Sequence, residues 1–117
     1  MSPADALARR AAQRYVEAVN NADGERLLAL FDEEATLLHP TGRYQGHAPI
    51  RRFYEEIVFA GQARLRPGRL LAEDETAMLE LFATSPLADA DAPPLRTLDV
   101  FTVDDTGAII ELVVYYL

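Results

Sequence analysis

"LRTLDVFTVDDTGAIIELVVYYL", residues 95 to 117, is the stretch that decides the fold. Two runs rich in β-branched and aromatic residues flank DDTG, residues 104–107, a turn signal ending in glycine. The pair reads as a hairpin: one strand over "LRTLDVFTV" and a final strand over "AIIELVVYYL". Alternation places Thr97, Asp99, Phe101 and Val103 on a common face of the first strand. The final strand is apolar on both faces, as strands buried on both sides are. Helices can cover one face. The other needs a partner, and a homodimer through the sheet is the simple expectation.

Working back along the chain, "SPLADADAPP" (85–94) is an acidic, proline-rich loop. "TAMLELFAT" and "ARLRPGRLLA" are two more strands joined by "EDE"; Pro67 and Gly68 make the earlier one bulged or an edge strand. Before Gly61 the period changes from two to that of helices. Ser2, Pro3 and Asp5 form a helix start, and Ala8, Ala11, Ala12, Tyr15, Val16 and Val19 follow at spacings of three and four. Asp23 caps a second helix with Leu27, Leu28 and Phe31 as its buried stripe. "ATLLHP" reads as a short strand and "TGRYQG" as a turn-rich connection. A third helix is expected from about Ala48, with Ile50, Phe53, Tyr54, Ile57 and Val58 facing inward. Helices first and hairpin-linked strands afterwards give an α+β fold, with residues 1–117 expected to form one domain.

Bulk composition narrows the function classes. A net charge of −8 over 117 residues, with no stripe of basic side chains, argues against nucleic acid as partner. There is no cysteine, hence no disulfide, thiolate metal site or thiol nucleophile. No apolar run is long enough to span a membrane, and residues 1–20 lack the layout of a signal peptide, so a cytoplasmic protein is expected. The two histidines, His39 and His47, have no ligand spacing with a carboxylate, and no metal is expected.

Five residues carry candidate chemistry. Asp99 sits mid-strand among apolar neighbours; it is either an outward carboxylate or a buried one with a raised pKa. Tyr15 and Tyr54 lie on helical inner faces, where a phenol is either a core residue or a donor to a developing oxyanion. Tyr116, near the chain end, shares that ambiguity. His39 ends an apolar strand and is held extended by Pro40; it is either a strand-end imidazole tied to the backbone or a proton acceptor near neutral pH.

The blocks "RYVEAVNNADGERLLALFDEEAT", "GRYQGHAPIRRFYEEI" and "LDVFTVDDTGAIIELVVYY" together resemble the ketosteroid isomerase branch of the nuclear transport factor 2-like superfamily, which includes the SnoaL-like polyketide cyclases. The resemblance implies three N-terminal helices packed in a curved, mostly antiparallel mixed sheet, a cone-shaped α+β barrel. It places Tyr15 on the family's oxyanion-hole tyrosine, Asp99 on its protonated aspartic acid and Tyr54 on a supporting tyrosine. Phe31 stands where a further supporting tyrosine can occur. His39 falls at the position of the general-base aspartate, a departure that suggests an imidazole base. Pocket walls are expected from Phe53, Met78, Phe82, Phe101 and Tyr116. The implied activity is cofactor-independent isomerisation of an apolar, ketosteroid-like carbonyl compound by enolisation. The alternatives are a dehydratase, hydrolase or cyclase using a His39–Asp99 pair, and a non-catalytic ligand-binding module.

Overall fold

A computed structural model describes residues 2–117. Helix α1 (Pro3–Asn20) begins as the sequence demands. The Ser2 hydroxyl accepts the Asp5 amide at 3.1 Å, and the Asp5 carboxylate accepts the Ser2 amide at 2.9 Å. This reciprocal cap satisfies two amides that the first helical turn would leave bare. The buried stripe of α1 is the alanine-rich one: Ala8, Ala11 and Ala12 lie against the sheet, followed by Tyr15, Val16 and Val19. Small side chains let the helix axis approach the strands closely.

Helix α2 (Gly24–Ala29) is capped by Asp23, whose carboxylate accepts the Arg26 amide. It is shorter than expected. Phe31 opens strand β1 (Phe31–His39) instead of closing the helix. The Ile109 amide donates to the Leu30 carbonyl at 2.8 Å, so the pull toward extended structure begins at the residue before Phe31. "TGRYQG" is also more ordered than a turn. It holds β2 (Gly42–Gln45), paired antiparallel with β1 so that Tyr44 faces Leu37. Helix α3 (His47–Phe53) continues into a wider π-helical turn over Tyr54–Phe59.

Strands β3 (Arg64–Glu73), β4 (Thr76–Thr84), β5 (Leu95–Val103) and β6 (Ile109–Tyr116) complete a six-stranded sheet ordered β2-β1-β6-β5-β4-β3. Only β1 and β6 run parallel. The sheet is curved but unclosed, with β2 and β3 as free edges, so the expected barrel is an open cone. The Pro67–Gly68 region of β3 carries the anticipated irregularity: the register with β4 slips by one residue between Pro67 and Leu70. The tight turn before β6 is built on Asp104, whose Oδ1 accepts the Thr106 and Ala108 amides, while Gly107 takes φ +90°. The core lies between α1 and the inner faces of β4, β5 and β6, where Leu79, Phe101, Val103 and Leu112 are buried. No helix is long and apolar enough to cross a membrane among the described residues.

One side chain at the end of α1 hydrogen-bonds to the edge strand β3, against which the helix packs. The Asn20 amide group donates to the Leu65 carbonyl at 2.9 Å and accepts the Leu65 amide at 2.7 Å. It serves as a stand-in for a neighbouring strand at the last residue of the helix. Removing it leaves two half-buried backbone groups without partners, so Asn20→Ala should lower stability by roughly 1–3 kcal/mol in urea unfolding. Asn20→Asp, which can accept but not donate, should recover only part of that loss.

Candidate active site

Alternation on β5 turns Thr97 and Asp99 inward with Phe101 and Val103. Asp99 is 2% exposed. Its Oδ1 accepts the Thr97 hydroxyl at 2.8 Å, and that is the only hydrogen bond to the carboxyl among the described residues. Burial strips water from the ionised form and pushes the carboxyl up to about 7, with the Thr97 hydrogen bond opposing only part of that effect.

The Tyr15 and Tyr54 hydroxyls lie 2.8 Å apart, joining α1 to the start of the π-helical turn. Two phenols share one mutual hydrogen bond, so one O–H of the pair is left over to donate elsewhere. Burial raises the pKa of both, and the nearby Asp99 adds to the effect, so both remain phenols at any physiological pH. Phe101 meets the Tyr15 ring edge-on at 5.1 Å and fixes its tilt.

His39 stands at the end of β1, half-buried, between the Phe53 ring at 4.7 Å and the Tyr116 ring at 5.3 Å. Its Nδ1 accepts the Thr41 backbone amide at 3.1 Å and lies 2.9 Å from the Thr41 hydroxyl. Its Nε2 is 3.1 Å from the Tyr116 hydroxyl. Desolvation lowers the imidazole pKa from 6.5. His39 and Asp99 make no hydrogen bond to each other. Their partners are Thr41 and Tyr116 for one and Thr97 for the other.

Tyr15, His39, Tyr54, Asp99, Phe53 and Tyr116 all line one cavity of about 730 Å³. Val19 of α1, Ile57 and Val58 of the π turn, Leu65 of β3 and Leu81 of β4 supply most of its apolar wall, and residues of the 85–94 loop rim it. Three expected wall residues stand elsewhere. Met78 and Phe82 are on the outer face of β4, because Leu79 and Leu81 take the inner positions and parity excludes their neighbours. Met78 is 44% exposed, and Phe82 lies under the guanidinium groups of Arg66 and Arg96. Phe101 is fully buried behind Tyr15 and supports the site without facing the cavity. The sequence reading gave no role to Thr41 or Thr97. Both lie two residues from a candidate, a spacing at which a hydroxyl or amide reaches back along a turn or along one strand face. His47 opens α3 and ties its ring Nε2 to the Phe31 carbonyl at 2.9 Å. No group of three metal-ligating side chains occurs among the described residues.

An open cone of mixed sheet around helices, with a carboxyl and phenols at the bottom of an apolar hollow, defines a small α+β domain of the nuclear transport factor 2-like superfamily. Residues 12–112 match the SnoaL-like domain profile, and the chain belongs to that family. Among solved structures it is similar to a candidate ketosteroid isomerase from Kribbella flavida, at 23% identity and TM-score 0.83, covering 97% of this chain and 79% of that one. It is also similar to a candidate polyketide cyclase from Sinorhizobium meliloti, at 20% identity and TM-score 0.80 over 91% of this chain and 94% of that one. A computationally designed 17-OHP binder shares the fold at 16% identity and TM-score 0.81, over 95% of this chain and 91% of that one. A search of curated proteins finds no match.

The environment of Asp99 has a thermodynamic signature. The unfolded chain loses this proton near 3.8 and the folded chain near 7. Between those values the folded state holds more protons, so this residue's contribution makes stability fall as pH rises from about 4 to about 7 and level off above. Asp99→Asn removes that slope. The stability of the variant relative to the parent should therefore grow across the same window, by on the order of a few kcal/mol, in urea titrations at stepped pH.

Proposed function

We propose that the protein is a cofactor-independent acid–base enzyme that enolises an apolar carbonyl compound of about steroid size and so isomerises it. The observation that carries this reading is Asp99, a buried carboxyl beside the Tyr15–Tyr54 phenol pair at the wall of a largely apolar cavity. Enolisation needs two things in one dry place: a group that takes a proton from carbon, and a donor for the oxygen that becomes negative. The surplus phenol hydrogen of the Tyr15–Tyr54 pair is such a donor, and it stays bound because both phenols are held well above neutrality. Asp99, its carboxyl pushed up to about 7 by burial, is the cavity group poised to change proton number near neutral pH. The similar structures named for ketosteroid isomerase and polyketide cyclase support chemistry on an apolar carbonyl compound, and the fold shared with a designed 17-OHP binder supports a small-molecule guest.

A dyad in which Asp99 orients His39, as a dehydratase or hydrolase would use it, draws less support. The two side chains bond to different partners. A β,γ-unsaturated ketosteroid in heavy water tests the reading. The protein should speed deuterium entry beside the carbonyl, and Tyr15→Phe or Asp99→Asn should each slow it by roughly a hundredfold or more. Saturable binding with no exchange would instead identify a non-catalytic ligand-binding module.

The working form is a homodimer through the outer face of the sheet. Leu38, Val113, Val100, Met78 and Leu71 stand in one register row across β1, β6, β5, β4 and β3. Leu71 is 70% exposed and Met78 44%, an apolar band that water solvates poorly. Sedimentation of the parent chain should give twice the monomer mass at micromolar concentration, and Met78→Glu with Leu71→Glu should give the monomer. A parent chain that sediments as a monomer would rule the dimer out.

A further inference from the structure

His39 occupies the position from which the family resemblance suggests a base, yet its hydrogen bonds leave it no lone pair to offer the cavity. A backbone amide can only donate. The Thr41 amide, 3.1 Å from Nδ1, therefore requires that nitrogen to carry its lone pair, and the neutral ring must hold its single proton on Nε2. The Thr41 hydroxyl, 2.9 Å from Nδ1 and 2.8 Å from the Tyr44 hydroxyl, can donate or accept and so fits either tautomer; the amide makes the choice. A second proton on Nδ1 would point one N–H at another. At the opposite end of the ring, Nε2–H donates to the Tyr116 oxygen at 3.1 Å, which leaves the Tyr116 O–H free to donate in turn. The imidazole thus ends in a donor on the side that lines the cavity. The carboxyl of Asp99 also lines that cavity, and only Oδ1 is engaged, by Thr97.

We propose that the two residues divide the chemistry in the opposite sense to the family resemblance: His39, its tautomer set by the Thr41 amide, is a positioning residue that supports Tyr116 as a donor, and Asp99 is the group that takes the proton. The assignment rests on the enolisation reading. In the step, the C–H bond beside the substrate carbonyl breaks and its proton forms an O–H bond on Asp99 Oδ2. The electron pair moves into the new carbon–carbon double bond, and the carbonyl π pair moves onto oxygen. That oxygen accepts the Tyr116 O–H, and the leftover phenol hydrogen of the Tyr15–Tyr54 pair is a second donor. Asp99 then returns its proton to a different carbon of the enolate, and no other reactant is consumed.

Two measurements on the whole chain test this. Long-range proton–nitrogen correlation spectra at neutral pH should show His39 protonated on Nε2 and bare on Nδ1. Thr41→Val, which keeps the amide and loses the hydroxyl, should leave that pattern unchanged. A ring protonated on Nδ1, or on both nitrogens, overturns the proposal whether or not any ketone is turned over. In the heavy-water exchange of the ketosteroid, His39→Gln keeps an N–H toward Tyr116 but cannot take up a proton. It should lose no more than about tenfold, with His39→Leu losing more, while Asp99→Asn loses about a hundredfold or more. A loss in His39→Gln as large as that in Asp99→Asn overturns the division of roles. No exchange in the parent protein would sink the enolisation reading and the base assignment together, and the spectra would still decide the state of the ring.

Discussion

A strand has one inner face, and β5 must fit both its core residues and its carboxyl onto it. Thr97, Asp99, Phe101 and Val103 point the same way by the geometry of the extended chain. A slip of one residue would return Asp99 to water but would expose Phe101 and Val103, which are at most 1% exposed. The apolar pair therefore holds the carboxyl inside against its own preference for solvent. Neighbouring strands lock the register further, with Leu79 and Val114 opposite Asp99 on either side. The raised pKa at this position is thus a product of packing, and the Thr97 hydroxyl moderates it without reversing it.

The two ends of the cavity treat charge differently. Around Asp99 the walls are apolar and a single hydroxyl donates, so the carboxyl lies close to the balance between its acid and its anion. Around His39 a rigid amide fills the acceptor position, and two aromatic rings shield the rest. One group is poised to change its proton number, and the other is held to a single state. The turn His39-Pro40-Thr41-Gly42 produces the second condition locally, because the chain reversal between β1 and β2 carries the Thr41 amide back over the ring.

Much of this was legible in the sequence. The helix start at Ser2, Pro3 and Asp5, the small-residue stripe of α1, the DDTG turn and the interrupted edge strand each rest on local chemistry that does not depend on distant neighbours. The resemblance then placed Tyr15, Tyr54, His39 and Asp99 around one hollow, where the fold brings them. What local chemistry could not give was the choice between faces. Met78 and Phe82 are as apolar as any pocket residue, and only the parity set by Leu79 and Leu81 sends them outward. Phe31 suits a helix stripe until Ile109, almost eighty residues on, pairs with the residue beside it. The tautomer of His39 was likewise hidden, since it depends on where a backbone amide lands after the chain turns.

The rim of the cavity is made differently from its floor. Residues 85–94 join β4 to β5 outside the ladder of the sheet, with the Ser85 hydroxyl bonded to the Gly61 carbonyl as one tether to the end of the π turn. Lengthening or recomposing such a connection costs little beyond the entropy of closing a longer loop. Floor and rim can therefore diverge at separate rates. A lineage could retain the proton chemistry of β5 and α1 while acquiring new guests through insertions at the entrance, with each trial leaving the folded scaffold intact.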